Sequence, residues 1–368
     1  MARSENNAFF DASVFQIPLT GVAKSTQGLY TACRKRMPRS KYIGIHNRPL
    51  SFKDDDRAAF RRIGKFLPDG IWRSAFLPFY LNRTRPEFIH FPWNGCVPGN
   101  IRGTIVATTL HDVLPLEIPE YFGGDGNARS SYIGQKQADI DRSDVLFTDS
   151  EYSGAQIARN FKLRREPVVI SFGPTIDQKP RRGKGDYFIY LGGYSKRKGL
   201  EELLDIYLEL VKQRKLSSKM LLTGSVSSIS EKFARYVAEG KAMGMVEERG
   251  YVDDDELSNL LSNARALVYP SKYEGFGLPP LEAMNCGCPV ITTRFTSISE
   301  VCGDAAIYID PQDRKGFAAS MVEIEKNDEL FGEMAAKGKA RAERFSWDRA
   351  AEKFLGAIFE HKKAGNKC

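Results

Sequence analysis

Cysteine and histidine are scarce in this sequence, and neither type is grouped as a bound metal would require. The 368 residues include six cysteines and four histidines. Cys286 and Cys288 stand two residues apart, but no second pair completes a set of metal ligands. His111 shares no metal-ligand spacing with the other histidines, at positions 46, 90 and 361. We therefore expect reduced structural thiols and no metal site.

Long apolar runs are also absent. No uninterrupted run approaches the roughly 20 residues that a membrane-spanning helix needs. The first residues, MARSENNAFFDA, lack the charged-then-apolar layout of a secretory signal. With 42% hydrophobic and 27% charged residues, the chain has the composition of an ordinary globular protein and the length for two domains. These features predict a cytoplasmic protein.

Positive charge is concentrated near the start of the chain. Residues 1–85 contain 16 Lys and Arg against 6 Asp and Glu. The same region contains six closely spaced aromatic residues: Phe60, Phe66, Trp72, Phe76, Phe79 and Tyr80. This mixture suits peripheral contact with an anionic membrane, such as the inner face of the cytoplasmic membrane. Alternatively, the aromatics belong to the core and the arginines to a solvated rim. Nucleic acid is not expected, because no zinc finger, RNP-type strand or helix-turn-helix signature accompanies the charge.

Short β-branched or aromatic runs alternate with helical segments along most of the chain. The runs lie at residues 14–17, 41–46, 101–109, 145–148, 168–171, 187–191, 219–223, 266–269, 290–292 and 306–309. Alternation of strands and helices predicts an α/β protein whose parallel sheets have helices on both faces.

A change of composition near the middle predicts a domain boundary. Residues 173–186, GPTIDQKPRRGKGD, are rich in glycine, proline and charge and have no hydrophobic period. We expect two Rossmann-like domains that face each other across a cleft, one at 1–176 and one at 187–345. A last helix, 347–364, should dock back on the first domain through one apolar stripe: Trp347, Ala350, Ala351, Phe354, Leu355 and Ile358.

Residues 271–291, SKYEGFGLPPLEAMNCGCPVI, have the pattern of a ligand-binding loop between a strand and a helix. Gly275 and Gly277 flank Phe276 and let the backbone approach a ligand closely. The two prolines after Leu278 suit the first turn of a helix, and the N–H groups of Gly277 and Leu278 at its start form a ready anion site. We therefore expect a phosphate to bind here.

Two glutamates of this segment are candidates for binding a sugar. Glu274 lies in the loop and Glu282 stands eight residues later on the helix, so both can face the same cleft. Carboxylates accept hydrogen bonds from sugar hydroxyls. The alternative is that Glu274 forms a turn and Glu282 is a solvated helix residue, but the register of glycine and proline favours ligand binding.

The segment resembles the E-x7-E signature of retaining, nucleotide-sugar-dependent glycosyltransferases of the GT-B fold, family 4, which includes bacterial mannosyl- and glucosyltransferases of surface polysaccharide assembly. The likeness covers most of the C-terminal half, in YLGGYSKRKGLEELL, LLTGS, VEERGYVDDDELSNLLSNARALVYPSKYEGFGLPPLEAM, PVITTRFTSISEVCGDAAIYIDP and FSW. In the first half it is looser but ordered, in PLTGVAKSTQGLY, TTLHDVLPLEIPEYF and VLFTDSEYSGAQI. It implies transfer of a hexose from a nucleoside diphosphate sugar to a hydroxyl acceptor, with retention at the anomeric carbon.

The resemblance implies a donor-binding role for the glycine-rich loop. Glu274 would bind hydroxyls of the donor sugar. The backbone around Phe276, including Gly275, Gly277 and Leu278, would hold the sugar and the diphosphate.

Three charged residues are assigned to the rest of the donor by the same resemblance. Glu282 would bind the ribose hydroxyls, while Arg197 and Lys198 would clamp the diphosphate and stabilise the charge that develops on it. Many family members carry a further arginine just after the preceding strand, where this chain has Gly193. No third cation is therefore assigned.

The resemblance extends to four residues whose roles are less specific. Tyr251 and Val252 resemble the residues that flank the base, and strand packing is the alternative for both. Gly21 lies in a glycine-bearing first loop that would contact the donor. His111 would lie near the donor's anomeric centre or leaving phosphate, although a lone histidine at a strand end is otherwise a satisfied structural group. The role of Asp112 stays open.

The donor and acceptor implied by the resemblance are GDP-mannose and a saccharide on the first domain. The segments EGFGLPPLEAM and RKGL are most similar to mannosyltransferases, while UDP-glucose or another UDP-hexose is the alternative donor. The acceptor would be a lipid-linked saccharide, lipopolysaccharide or exopolysaccharide. No obvious nucleophile is present, which suggests front-face attack with the departing diphosphate taking the acceptor's proton. No cofactor is expected, and a noncatalytic nucleotide-sugar or polysaccharide binding protein is the alternative of another class.

Two further patterns are excluded as functional signals. Residues 54–56 and 253–255 are both triple-Asp runs and contain the D-x-D pattern that another glycosyltransferase fold uses to hold a divalent cation. The second run precedes ELSNLLSNA, where aspartate is a natural helix cap. A dinucleotide oxidoreductase is disfavoured because no G-x-G-x-x-G follows a strand.

Overall fold

The computed structural model describes residues 7–16, 20–44, 60–62, 69–180, 185–224 and 230–365. The chain divides into two compact units. The first unit contains Met1–Gly173 and Ser346–Cys368, and the second contains Pro174–Phe345. Among the described residues, no helix combines the length and the apolar character needed to cross a membrane.

The described strands are short and are all parallel to their neighbours. They are β1 (Ala8–Asp11), β2 (Lys41–Gly44), β3 (Phe60–Arg62), β4 (Phe88–Phe91), β5 (Ile105–Thr109), β6 (Val145–Thr148), β7 (Val168–Val169), β8 (Tyr187–Leu191), β9 (Lys219–Thr223), β10 (Val246–Gly250), β11 (Ala266–Tyr269), β12 (Val290–Thr292) and β13 (Ile307–Tyr308).

The described α-helices alternate with these strands. They are α1 (Gly21–Arg36), α2 (Asp69–Ile71), α3 (Leu77–Thr84), α4 (Leu114–Glu117), α5 (Gly126–Asp141), α6 (Glu151–Asn160), α7 (Leu200–Lys212), α8 (Glu231–Ala242), α9 (Asp254–Asn263), α10 (Leu278–Asn285), α11 (Ile298–Cys302), α12 (Arg314–Lys326), α13 (Asp328–Ala342) and α14 (Trp347–Gly365). A π-helical turn, Trp72–Phe76, joins α2 to α3.

The first unit is built on a seven-stranded sheet with the order β3-β2-β1-β4-β5-β6-β7. Its core is aromatic: the ring of Phe354 on α14 lies 4.5 Å from Phe147 and 6.2 Å from Phe88, measured between ring centroids. Trp347, at the start of α14, stacks on Phe172 at 5.6 Å. The C-terminal helix therefore belongs to the first unit because its apolar stripe completes that core.

The second unit is built on a six-stranded sheet with the order β10-β9-β8-β11-β12-β13. Helix α7 is amphipathic and buries Leu200, Leu203, Leu204 and Tyr207 at helical spacing. The central strands β8 and β11 are apolar along nearly their whole length, as expected for strands covered on both faces. Both units are thus doubly wound α/β structures, which confirms the predicted fold class.

Several predicted strands differ from the observed ones. The prediction of a strand at residues 14–17 is wrong, because a 3-10 turn occupies Ser13–Gln16 and the first strand is Ala8–Asp11. Strands β1, β3, β4 and β10 were not predicted. Strand β10, VEERG, is an edge strand whose charged side chains hide the apolar signal.

The boundary segment also has a definite position. The described residues at 174–180 form neither helix nor strand, but they pack on α10 of the second unit. Thr175 donates a hydrogen bond to Glu282, and the Ile176 carbonyl accepts one from Asn285 Nδ2 at 3.0 Å. The structure therefore begins the second unit at Pro174, whereas the composition change alone suggested 187.

The aromatic residues of the basic segment have mixed environments. Trp72 is fully buried, and Phe76 and Tyr80 pack against the same apolar cluster. Phe79 has the opposite character, with 64% of its surface exposed. The side chain of Phe60 and all of Phe66 lie outside the described residues. Core packing thus explains three of the six aromatics, and among the described ones Phe79 is the aromatic that favours the membrane hypothesis.

Candidate active site

The carboxyl edge of the second sheet brings together most of the predicted donor-binding residues. From β8 the chain winds outward through β9 and β10 on one side, and β11 to β13 lie on the other. The loops that follow β8 and β11 therefore separate at the edge of the sheet, where open α/β sheets bind their ligands. Arg197 and Lys198 are in the first of these loops and Glu274 is in the second.

Glu274 is the centre of a cluster of polar side chains. Its Oε1 atom accepts hydrogen bonds from the Tyr269 hydroxyl at 2.7 Å, the Ser271 hydroxyl at 2.7 Å and Arg197 Nη1 at 2.9 Å. Lys198 Nζ lies 3.9 Å from the same oxygen. Its Oε2 atom makes no hydrogen bond with a residue that the structure describes. One carboxylate oxygen is therefore fixed by the protein while the other is available to a ligand.

The charges of this cluster do not cancel. Burial alone would raise the pKa of Glu274, but the charges of Lys198 and Arg197 and the hydrogen bonds from Tyr269 and Ser271 outweigh it and lower the pKa below its usual 4.5. Burial also lowers the pKa of Lys198, an effect that Glu274 opposes and Arg197 reinforces. Two cations thus face one carboxylate, and the excess positive charge can bind an anionic ligand.

The backbone of the Glu274 loop is held from two directions. The Glu274 N–H donates to Thr296 Oγ1 at 3.1 Å, and its carbonyl accepts from Ser297 Oγ at 2.8 Å. Arg197 Nη1 also donates to the Tyr273 carbonyl at 2.5 Å. These bonds fix the carboxylate before any ligand arrives, which reduces the entropy lost on binding.

Helix α10 begins at the end of this loop and offers two backbone donors. Gly277 is its N-cap and has φ +112°, a conformation that favours glycine. Pro279 and Pro280 have no N–H, so the donors at the helix start are those of Gly277 and Leu278. Neither N–H is hydrogen-bonded to a described residue. The start of α10 is therefore suited to an anion.

Glu282 lies on α10 in a different environment. It is 4% exposed, and its Oε1 atom accepts a hydrogen bond from the Thr175 hydroxyl. Helix α10 thus carries a buried carboxylate in addition to that of Glu274 in the loop, and it is already hydrogen-bonded to a residue of the boundary segment. Its predicted contact with ribose hydroxyls stays a prediction.

Tyr251 and Val252 directly follow strand β10 and do not share one environment. Half of the surface of Tyr251 is exposed, at 50%, whereas Val252 is buried. Both lie outside the strand, which ends at Gly250. Val252 thus belongs to the core of the unit, and contact of Tyr251 with a base stays a prediction.

The remaining predicted residues belong to the first unit. Gly21 is the first residue of α1, a helix capped by Thr20, whose hydroxyl accepts from the Ala23 N–H at 3.1 Å. His111 follows β5 and is buried, and both of its ring nitrogens are hydrogen-bonded within the unit. The roles of Gly21 and His111 toward a donor stay predictions.

Three hydroxyl residues of the Glu274 cluster were missed by sequence reasoning: Tyr269, Ser271 and Thr296. Ser271 and Tyr269 lie within or beside the glycine-rich segment, but Tyr269 reads as an apolar residue of strand β11. Thr296 comes from the loop after β12 and has φ +55°. Only the pairing of β11 with β12 brings this loop close to Glu274.

In the part of the chain that the structure describes, no three His, Cys, Asp or Glu side chains are grouped so that they could hold a metal ion. Asp253 caps α9 and accepts a hydrogen bond from the Glu256 N–H at 2.8 Å, which confirms the capping prediction. Residues 54–56, the other triple-Asp run, lie outside the described residues.

Comparison with known proteins identifies similar sequences. Residues 173–342 match the family model described as glycosyl transferases group 1. The O-antigen chain mannosyltransferase B of Escherichia coli is 30% identical over 290 residues, which cover 75% of each chain. The serotype-specific mannosyltransferase WbdA of Escherichia coli is 28% identical over 260 residues, or 66% of this chain but 32% of that protein.

Solved structures are similar over nearly the whole chain. The sucrose-phosphate synthase of Thermosynechococcus elongatus superposes with a TM-score of 0.75 at 18% identity. The match covers 98% of this chain and 100% of that one. At this identity the likeness concerns the fold.

Proposed function

The chain belongs to the glycosyl transferases group 1 family, and from this premise we propose that it transfers mannose from GDP-mannose to a saccharide hydroxyl with retention of configuration. It has the GT-B fold and is a glycosyltransferase. The nucleotide-sugar donor, the retaining course and the absence of a cofactor are part of the proposal. A UDP-hexose is the alternative donor.

The observation that carries the proposal is the carboxylate of Glu274. A sugar ring presents several hydroxyl donors, and Glu274 offers an ionised oxygen, Oε2, that no described residue occupies. Charge-assisted hydrogen bonds of this kind are stronger than neutral ones. Glu274 would therefore orient the hexose of the donor, and Glu282 would contact the ribose.

The leaving group would be bound by the positive part of the site. The acceptor oxygen attacks the anomeric carbon on the face from which the bond to the diphosphate breaks, and the departing phosphate oxygen takes the acceptor's proton. Arg197, Lys198 and the N–H of Leu278 would stabilise the negative charge that develops on the diphosphate. The excess of cations over carboxylates supports this role.

The choice of mannose and of a polysaccharide acceptor is supported by the names of the relatives. Both relatives named above are mannosyltransferases, and one of them is named for the O-antigen chain. We propose that this chain acts in the assembly of a similar surface polysaccharide and that Tyr251 contacts the guanine base. The acceptor would be a lipid-linked saccharide or a growing polysaccharide.

A transfer assay with three labelled donors tests the proposal. GDP-mannose, UDP-glucose and UDP-galactose are incubated separately with the protein and a bacterial lipid extract. We expect label in the lipid fraction from GDP-mannose, loss of this transfer in Glu274→Gln and its retention in Glu329→Gln, an exposed control on α13. Transfer from a UDP-hexose alone would overturn the donor assignment. Binding of donors without any transfer would favour a noncatalytic binding protein.

Peripheral membrane contact is a second proposal, and exposed apolar side chains favour it. Ile71 and Phe79 are 52% and 64% exposed on the continuous helical stretch from Asp69 to Thr84, and Arg83 of the same stretch is also exposed. Exposed apolar and basic side chains together suit an anionic lipid surface.

Vesicle pelleting tests the membrane proposal. The double variant Ile71→Ser and Phe79→Ser should weaken pelleting with anionic vesicles by at least about tenfold, since burying each side chain is worth about 1.5–3 kcal/mol. The matched control is Tyr121→Ser, which removes an aromatic residue that is 56% exposed on another segment. Equal pelleting of the wild type and the double variant would exclude this contact.

A further inference from the structure

The first unit contains a buried hydrogen bond between two titratable side chains that lie 38 positions apart. His111 Nδ1 is 2.7 Å from Asp149 Oδ2, and both side chains are less than a tenth exposed. The two residues follow β5 and β6, which are neighbours in the sheet. The sheet therefore holds the pair together at its carboxyl edge.

The other ring nitrogen of His111 has a partner that can only accept a hydrogen bond. His111 Nε2 lies 2.7 Å from the carbonyl oxygen of Pro92. Because a carbonyl has no proton to donate, Nε2 must carry one. Whether the ring is charged then depends only on Nδ1, which faces the carboxylate of Asp149.

A turn in the left-handed region holds Pro92 and the backbone of His111 in place. Asn94, Gly95 and Cys96 have φ angles of +40°, +99° and +63°. The side chain of Asn94 accepts a hydrogen bond from the His111 N–H at 2.7 Å. A Cβ atom at Gly95 would lie 2.1 Å from Asp139 Oδ2, so the turn needs glycine there.

Asp139 on α5 stabilises this turn from beneath. Its two carboxylate oxygens accept hydrogen bonds from the N–H groups of Cys96 at 2.9 Å and Val97 at 2.8 Å. Lys136 donates to the carbonyl of Asn94 from the same helix. Residues in strained backbone conformations persist only where surrounding structure holds them, and they are common at functional sites.

The charged groups around the ring favour the protonated form. Burial alone would lower the pKa of His111, but Asp149, the Pro92 carbonyl and Asp112 raise it above its usual 6.5. Burial raises the pKa of Asp149 to about 6, although the charge of His111 opposes this. His90 lies on the neighbouring strand, and burial followed by the charge of His111 lowers its pKa to about 3, so it stays neutral. Lys136 is engaged with the turn.

Asp149 also has an oxygen with no hydrogen-bond partner among the described residues. Neither Asp149 Oδ1 nor Thr148 Oγ1 is hydrogen-bonded to a described residue, although both atoms are buried. The two residues line a small cavity together with Ser25, Thr26 and His111. The cavity has room for about one water molecule.

We propose that Asp149 is a positioning residue that, with the Pro92 carbonyl, holds His111 as a fixed imidazolium. The positive ring would then be a permanent charge of the first unit. Its use in catalysis rests on the proposed transfer and on the role near the donor's anomeric centre or leaving phosphate that the resemblance implies for His111. The protonation state of His111 and Asp149 does not depend on that function.

Nitrogen-15 NMR of the histidine rings tests the charge directly. The chain has only four histidines, so His111→Gln identifies the His111 signals by subtraction. At neutral pH we expect two similar ring-nitrogen shifts, as in an imidazolium. Two widely separated shifts in the wild type, as in a neutral ring, would overturn the proposal without any variant of Asp149.

Two carboxylate variants distinguish the effect of the hydrogen bond to Asp149 from the effect of a nearby negative charge alone. In Asp149→Asn the His111 shifts should separate at neutral pH, with the proton retained on Nε2. Asp112→Asn removes a nearby charge but no bond to the ring, and it should keep the imidazolium pattern. An unchanged pattern in Asp149→Asn would contradict the assignment.

The pH profile of transfer tests the use of this charge. In Asp149→Asn, kcat should fall by roughly 100-fold at neutral pH, the cost of a misplaced catalytic group, with the donor KM unchanged. Part of the loss should be recovered at lower pH, because the ring regains its proton. A loss that is equal at every pH would mean a merely structural role. A wild-type protein that shows the imidazolium but transfers no sugar would refute the proposed function. The proposal that Asp149 holds His111 in the charged form would still stand.

Discussion

Replacing Tyr269 by phenylalanine removes a single oxygen atom from the candidate active site. That hydroxyl donates to Glu274 Oε1 at 2.7 Å and accepts from Lys198 Nζ at 3.2 Å. Burial, followed by the charge of Glu274, raises the pKa of Tyr269 well above 10, so the group is a neutral donor. The ring lies beneath Lys198, with Nζ 5.4 Å from its centroid, and phenylalanine keeps this contact.

The magnitude follows from the loss of a hydrogen bond to a charged group, which is worth about 1.5–3 kcal/mol. We expect the free energy of unfolding of Tyr269→Phe to fall by about that amount. Ser271 and Arg197 still hold Oε1, so the carboxylate becomes less well oriented but stays in the site. Each 1.4 kcal/mol is a factor of ten, so kcat/KM for the donor should fall about 10- to 100-fold. GDP binding should change little.

The assay compares urea unfolding, steady-state transfer and GDP titration for Tyr269→Phe and Tyr190→Phe. Tyr190 is equally buried, but among the described residues its hydroxyl donates only to the Gly193 carbonyl, at 3.4 Å. Its loss should cost less than about 1 kcal/mol, as for an ordinary neutral hydrogen bond. Equal stabilities of the two variants, together with wild-type transfer by Tyr269→Phe, would refute the role assigned to the cluster.

Three further predictions concern stability. Gly28→Ala should lower the free energy of unfolding by about 1–3 kcal/mol, because the new Cβ would lie 2.3 Å from the Trp347 ring. The control Gly356→Ala, which has open space at its Cβ, should not destabilise the protein. Thermal unfolding of the two variants tests this difference. Asp253→Ala should cost about 1 kcal/mol in urea unfolding through loss of the α9 cap, and no change would argue against the cap. Because the folded pKa of Glu274 lies below its usual 4.5, its contribution to stability is complete above the unfolded pKa and is lost as the pH falls through the folded value. Unfolding measured over a series of acidic pH values should therefore depend less on pH in Glu274→Gln than in the wild type.

The sequence pattern predicts the strands whose apolar residues run without interruption. Strands β8 and β11 are examples, since both are covered on their two faces and carry no charged side chain. Strand β10 was not predicted because it is an edge strand with three charged side chains in its middle. Glu247 and Glu248 are partly buried, and Arg249 is exposed. Residues 14–17 have strand-forming side chains, but the described ones, Val14 to Gln16, lie in a 3-10 turn, because tertiary context overrides strand propensity there.

In the candidate site, some residues are grouped by the local sequence pattern and others only by the fold. Glu274, Gly277 and Leu278 are close in sequence, so local pattern is enough to group them. The pair of His111 and Asp149 depends on β5 and β6 being neighbours in the sheet, and residue spacing along the chain carries no such information. The hydroxyl of Tyr269 is hidden for another reason, because a tyrosine at the end of a buried strand has the pattern of a core residue.

The most direct measurement is a crystal structure of the protein with a GDP-mannose analogue that cannot be transferred. We expect a hydroxyl of the hexose within hydrogen-bonding distance of Glu274 Oε2 and a phosphate oxygen at the N–H of Leu278. A hexose bound away from Glu274, with the diphosphate remote from the start of α10, would contradict this expectation.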